Sequence, residues 1–426
     1  MCGVIIFCMK YIRPAGFFIL FLLCGMALRW LLIDDTASFT RLMMHEFYRQ
    51  DNIDILFAGS SHCYVSLDPQ ITDEIFSADT FNAGSALQAQ DASFALIREA
   101  VEHYHVRHVF MEMYYLMMNN DEYRDRGQMT GTYIISDYMR PSLNKLHFLL
   151  NASSPKYYVN SFIPARRNWE GLLDPAGIMD LAKRKMTPEY RNFTPFDGYQ
   201  SKGFVSYDET ITTGWLLDNA GFDRIHPETA SSDWLKTLRE IIAYCEEKGV
   251  RLTLFSAPMT LFQTTAVGNY DDYISLLNSL TEGTEARYVD FNLCREEYFP
   301  GTTDLFADAG HMNKNGAALF SSVFARYFTG QITDEELFYG SMAEKISAHG
   351  PEILGLSFLD SGDGMRKLKI VSTMPEGTRY DVEFTPSGGS PRMLLSRSDD
   401  IYFEVPQEEH GTLVISGGGI TLEMWE

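Results

Sequence analysis

Along the chain, apolar positions alternate between short unbroken runs and longer stretches with helical spacing. Residues 53–58 form the first run, apolar except for Asp54 and stopped by Gly59, as expected of a strand buried on both faces. Asp68-Pro69 opens a short helix that reaches to about residue 75. Residues 80–83 read as a second strand broken by Gly84, and 109–113 as a third. Between them, Phe94, Ile97, Val101 and Tyr104 mark one face of a helix over 92–104. Trp234, Leu235, Leu238, Ile241, Ile242 and Cys245 recur at helical spacing up to Gly249. Strands at 251–256 and 288–291 and a closing helix over 315–327 follow. This alternation predicts a parallel sheet covered on both faces, with chemistry at the carboxyl ends of its strands. Ser61, Gly84 and Glu112 all fall at that edge.

The two ends of the chain break the pattern. Residues 15–33 are nearly all apolar and long enough to cross a bilayer. Lys10 and Arg13 precede the run while Asp34 and Asp35 follow it, which predicts an N-terminus inside and everything after residue 34 outside the cytoplasm. Arg29 and Trp30 sit where side chains reach the headgroups. Gly25-Met26-Ala27 leaves a cleaved signal peptide as a rival; the apolar run continuing through Ile33 favours an uncleaved anchor. From about residue 355, seven short β-type runs separated by Gly, Pro, Asp and Ser predict a small β-sandwich-like domain over 350–426. It reads either as a carbohydrate-binding module or as a stabilising cap. The middle, 35–330, is the α/β domain, with an insertion at about 116–231 carrying Tyr138, Arg140, Arg166, Arg167, Trp169 and Phe204. An insertion of that length at the active edge reads as a lid or substrate platform.

Charge and cysteines exclude some classes. A formal net charge of -22 argues against a nucleic-acid partner. The six cysteines are scattered, with neither a disulfide framework nor a zinc spacing, and no cofactor is implied. His103, His105 and His108 straddle a helix end and a strand start, so no metal site is expected there.

The candidate chemistry lies in Gly59-Ser60-Ser61-His62 and Asp308-Ala309-Gly310-His311. A serine hydroxyl becomes a nucleophile when a base takes its proton and a carboxylate orients that base. Ser61 is the candidate nucleophile, His311 the base and Asp308 its orienting acid. The backbone N–H groups of Ser61 and Gly84 are candidate oxyanion donors, with Asn82 contributing indirectly. Cys63 offers a thiol beside the serines. His62, Glu112 and Tyr114 are candidate substrate contacts, and Glu112 reads first as an acceptor for loop backbone groups.

These residues resemble blocks of the SGNH/GDSL hydrolase superfamily. Residues 57–61 look like its first block, with Ser60 where an Asp is often found, and 82–84 like its second. Residues 306–313 are similar to its fifth, the most specific match. The third block is replaced by Phe110-Met111-Glu112-Met113-Tyr114, a departure that resembles the membrane-anchored DltD-like branch. The resemblance covers about residues 50–330. It implies a three-layer α/β/α, flavodoxin-like parallel sheet and a serine esterase or O-acyltransferase using Ser61, His311 and Asp308. It further implies a cell-envelope glycopolymer such as a teichoic-acid-like polymer as partner, often beside a membrane-embedded acyltransferase. A non-catalytic scaffold subunit is the alternative that the missing block leaves open.

Overall fold

The computed structural model describes residues 2–119, 130–196, 198–211, 216–218, 224–359 and 364–425. Its strands, in chain order, are β1 (Ile55–Ala58), β2 (Thr80–Asn82), β3 (His108–Glu112), β4 (Leu216–Asp218), β5 (Arg251–Ser256) and β6 (Arg287–Asp290). Seven more follow: β7 (Ile353–Leu359), β8 (Met365–Ser372), β9 (Tyr380–Pro386), β10 (Arg392–Ser398), β11 (Tyr402–Pro406), β12 (Gly411–Gly417) and β13 (Ile420–Trp425). Five of the first six build a parallel sheet in the order β2-β1-β3-β5-β6. Ile55 lies opposite both Thr80 and His108, and His108 opposite Arg251.

Alternation within each strand feeds two separate cores. Leu56, Ala58, Val109, Met111, Leu252 and Leu254 face one side. There they meet Leu96 and Ile97 of the helix Gln90–His103 and Leu238 and Ile241 of the helix Ser232–Lys248. Phe57, Phe110, Phe255 and Val289 face the other, against the helix Lys314–Phe328. Phe324 of that helix meets Phe57, Phe110 and Phe255 at ring distances of 5.9, 4.9 and 5.2 Å. One side chain thus spans three neighbouring strands and fixes this helix against them. Asn313 caps that helix by accepting the N–H groups of Asn315 and Gly316, so the loop just before it is fixed too.

Beyond this unit, two four-stranded sheets, β10-β9-β12-β13 and β11-β8-β7-β4, enclose a core that includes Leu356, Ile370, Val382, Phe384, Phe403 and Ile415. The 350–426 boundary needs amending: β4 comes from the insertion and pairs parallel with β7, Leu216 opposite Leu356. The helix Leu261–Val267 also docks here, and the Lys369 ammonium donates to the Ala266 carbonyl at 2.7 Å.

The N-terminal helix Cys2–Leu32 is long and apolar enough to cross a membrane, with a mean hydropathy of 2.1 over Ala15–Leu32. Phe17, Phe18 and Leu22 on it are more than 60% exposed. The insertion grips the chain just after it. Asn168 donates to the Leu32 carbonyl at 2.9 Å, Tyr190 to Asp35 at 2.9 Å, and Lys185 pairs with Asp35 at 2.8 Å. The end of the helix and the residues just after it are thereby tied to the insertion.

Candidate active site

The turn after β1 is shaped by a close approach to β3. A Cβ at Gly59 would lie 2.5 Å from the Cβ of Glu112, so only glycine fits. Ser60 then caps a one-turn helix, Ser61–Tyr64, its hydroxyl accepting the His62 N–H at 3.2 Å. The Ser60 hydroxyl and N–H both donate to Glu112 Oε2, at 2.7 and 2.8 Å. With Ser60 tied inward, the half-buried Ser61 hydroxyl is left at the strand edge.

The second segment arrives as a tight loop closed by a bridge between Phe306 and Met312. Asp308 Oδ1 accepts the N–H groups of Gly310 and His311 at 2.9 and 2.8 Å. His311 Nδ1 lies 2.8 Å from Asp308 Oδ2, and its Nε2 lies 2.7 Å from Ser61 Oγ. The three groups singled out from sequence therefore meet. Burial pushes the Asp308 carboxyl up, but the His311 hydrogen bond and charge and the two backbone N–H groups outweigh it and hold it at about 2. It stays ionised throughout the neutral range, which suits a group that fixes an imidazole tautomer.

His62 packs face to face with His311, rings 4.5 Å apart, and sits 3.9 Å from Tyr114. Burial, then the neighbouring His311, push its pKa down to about 3. The neutral ring donates from Nδ1 to the Gly310 carbonyl at 2.8 Å. A Cβ at Gly310 would lie 2.8 Å from this ring, which explains the glycine. Thr260 donates from both its N–H and its hydroxyl to the Ala309 carbonyl, at 3.1 and 2.9 Å.

Glu112 accepts a loop backbone N–H, that of Ser60, as expected from the sequence. Other expected roles are corrected: His62 and Glu112 are buried and occupied by protein partners, so they support the two loops and are not substrate contacts. Tyr114 is half-buried, its ring tilted against His62 at 3.9 Å. Asn82 is fully buried, and its amide donates to the Cys63 and Leu67 carbonyls at 2.9 Å each. Its Oδ1 accepts the Gly84 N–H at 3.1 Å, so that expected oxyanion donor already has an acceptor within the chain. The Ser61 N–H has no acceptor among the described residues. Cys63 is fully buried, and burial pushes its thiol well up, leaving it protonated. Ser60, Thr260 and Asn313 escaped the sequence reading as site-shaping residues; only Asn313, followed by a helix-start pattern, carried a signal.

Glu112 yields a testable pH dependence. Burial pushes its carboxyl up to about 7, against the two Ser60 hydrogen bonds that lower it. The folded protein thus holds this proton to higher pH than the unfolded chain, where the group titrates near 4.5. Stability falls as pH rises through that window and then levels off. Glu112→Gln keeps a carbonyl oxygen for Ser60 and abolishes the titration. Its stability is expected to gain on the wild type by roughly 3 kcal/mol across the window. Thermal unfolding over that range checks this, and parallel curves for the two proteins would refute it.

Next to Gly84, a cavity of about 560 Å³ runs back toward the end of the apolar helix. Tyr64, Ser85, Asp137, Arg167 and Tyr199 are among its lining residues. No family model and no curated protein matches the chain. Among solved structures it is similar to a Cellulomonas fimi endo-beta-1,4-mannanase double mutant at 13% identity, over 92% of this chain and 97% of that one. The TM-score of 0.16 gives that likeness no weight for fold or activity.

Proposed function

We propose that this chain is a membrane-anchored, extracytoplasmic serine acyl-transfer enzyme of the SGNH type, acting on cell-envelope glycopolymers. The observation that carries the reading is the contact of Ser61 Oγ with an imidazole steadied by Asp308. Counted within its own sheet, the strand order is 2-1-3-4-5, which supports a flavodoxin-like three-layer arrangement with ligands at the switch point beside the first strand. Ser61 follows that strand.

In this mechanism Ser61 Oγ attacks the acyl carbonyl carbon while its proton passes to His311 Nε2. The resulting oxyanion is met by the Ser61 N–H. Collapse expels the donor alcohol, which leaves with the proton from His311, and the acyl group stays on Ser61. Water or a sugar or polyol hydroxyl then gives its proton to His311 and takes the acyl group, and His311 Nε2 returns that proton to the departing Ser61 Oγ. The tyrosine-lined cavity beside Gly84, with Asp137 and Arg167 among its lining residues, suits a saccharide acceptor. Transfer to an envelope polymer, beside a membrane-embedded acyltransferase, is the preferred form and ester hydrolysis the enzymatic runner-up.

A second reading is a non-catalytic scaffold for such an acyltransferase. It is favoured by the Gly84 N–H being engaged by Asn82, which leaves a thin oxyanion site. A fluorophosphonate probe separates the two readings. The full chain is expected to lose fluoride from the probe and carry the phosphonate on the peptide containing Ser61. A folded protein that stays unlabelled would favour the scaffold. p-Nitrophenyl acetate turnover with and without a polyol acceptor then separates transferase from esterase.

A further inference from the structure

The C-terminal end of the apolar helix opens into a second cavity, of about 650 Å³, on the far side of Tyr138 from the first. Five cationic side chains line it: Arg29, Arg41, Arg49, Arg140 and Lys185. Its acids do not balance them. Asp35 is shared between Lys185 at 2.8 Å and Arg41 at 3.9 Å, and Asp137 is held by Arg167 at 2.5 Å. Arg29, Arg49 and Arg140 make no ion pair among the described residues. In a chain of formal net charge -22, three unmatched guanidinium groups in one recess are a local imbalance that a bound anion relieves.

The groups are also held in place. The Arg41 guanidinium lies 3.7 and 3.9 Å from the ring centres of Tyr190 and Phe193, and it donates to the Tyr190 carbonyl at 2.8 Å. Arg140 lies 4.2 Å from the Tyr48 ring. Planar forks fixed by stacking lose little freedom when they grip a phosphate. Met26 and Trp30 line the same recess, are 60% and 38% exposed, and belong to the apolar span. A ligand with its phosphate among the arginines would therefore run its apolar part along the helix.

We propose that this recess binds the phosphate headgroup of an anionic lipid, holding one lipid molecule against the base of the folded domain. A free phosphate would use the arginines but not the continuous apolar wall, so the lipid is the occupant to which the geometry points. The inference does not rest on the chemistry at Ser61.

Native mass spectrometry of the full chain in detergent, titrated with dioleoylphosphatidylglycerol or dioleoylphosphatidylcholine, tests it. Phosphatidylglycerol is expected to bind and phosphatidylcholine, with its opposing choline charge, to bind far more weakly. Arg49 and Arg140 are exposed, so the double variant Arg49→Gln/Arg140→Gln should fold and melt as the wild type does. Its affinity for phosphatidylglycerol is expected to drop roughly 25-fold, about fivefold per basic group near an anionic headgroup. A control that removes two exposed lysines elsewhere, Lys236→Gln/Lys248→Gln, is expected to keep the wild-type affinity. Equal binding of the two lipids, undiminished binding by the arginine variant, or an equal loss in the lysine control would overturn the proposal. Displacement of the lipid by millimolar inorganic phosphate would overturn it in favour of a free-anion site.

Discussion

Ser61→Ala is expected to leave the chain folded and to lower turnover of an activated acetyl ester by on the order of 10⁶. The hydroxyl is the atom that the proposed mechanism acylates, and the neighbouring oxygen does not replace it. Ser60 Oγ is occupied by Glu112 and by the His62 N–H, and it is buried. The thiol of Cys63 is equally unable to substitute, since it is buried, protonated and directed at Asn82 Oδ1 at 3.4 Å. Residual turnover would then come only from binding and from the Ser61 N–H, which the substitution keeps. Steady-state rates with p-nitrophenyl acetate, and loss of fluorophosphonate labelling, read the effect. A Ser61→Ala protein that still turns over ester near the wild-type rate would remove this residue from the chemistry.

Asp308→Asn is the second large effect, expected near 10⁴ in kcat with little change in melting temperature. Asparagine keeps a carbonyl oxygen for the N–H groups of Gly310 and His311, so the loop should hold its shape. What it changes is the face presented to Nδ1. An amide NH₂ there favours the imidazole tautomer with its proton on Nε2, and that nitrogen can no longer accept from Ser61 at 2.7 Å. The Asp308 side chain is 60% exposed, so no buried charge is stranded. Kinetics and thermal unfolding on one preparation separate the two effects. A large fall in stability matching the fall in rate would mean that the carboxylate builds the loop and does not tune the base.

How much of this was legible depends on the range of each interaction. The strands of the parallel sheet were readable because burial on both faces leaves unbroken apolar runs such as Ile55 to Ala58. Ser61 and His311 could be brought together on paper because strand ends and a late helix start share one edge in such sheets. Glu112 was readable as an acceptor for loop backbone, but its partner was not. Ser60 and Glu112 are 52 positions apart, and their bond depends on how closely β1 and β3 approach at Gly59. The loss of Gly84 as a free donor turns on the orientation of the Asn82 amide, which no spacing reveals. β4 was missed for a different reason: three residues pairing with a strand 140 positions later carry no periodicity of their own.

The clasp of the helix Lys314–Phe328 by Phe324 has a consequence for biosynthesis. Ser61 and His311 are 250 positions apart, and translation at roughly 5–20 residues per second separates their emergence by roughly 12–50 s. During that interval the serine oxygen has no imidazole beside it, because the helix that delivers one has not been made. On the proposed mechanism, a nascent chain is chemically silent until the helix after His311 seats. Products truncated before residue 308 would lack both Asp308 and His311 and, on that mechanism, would be inert.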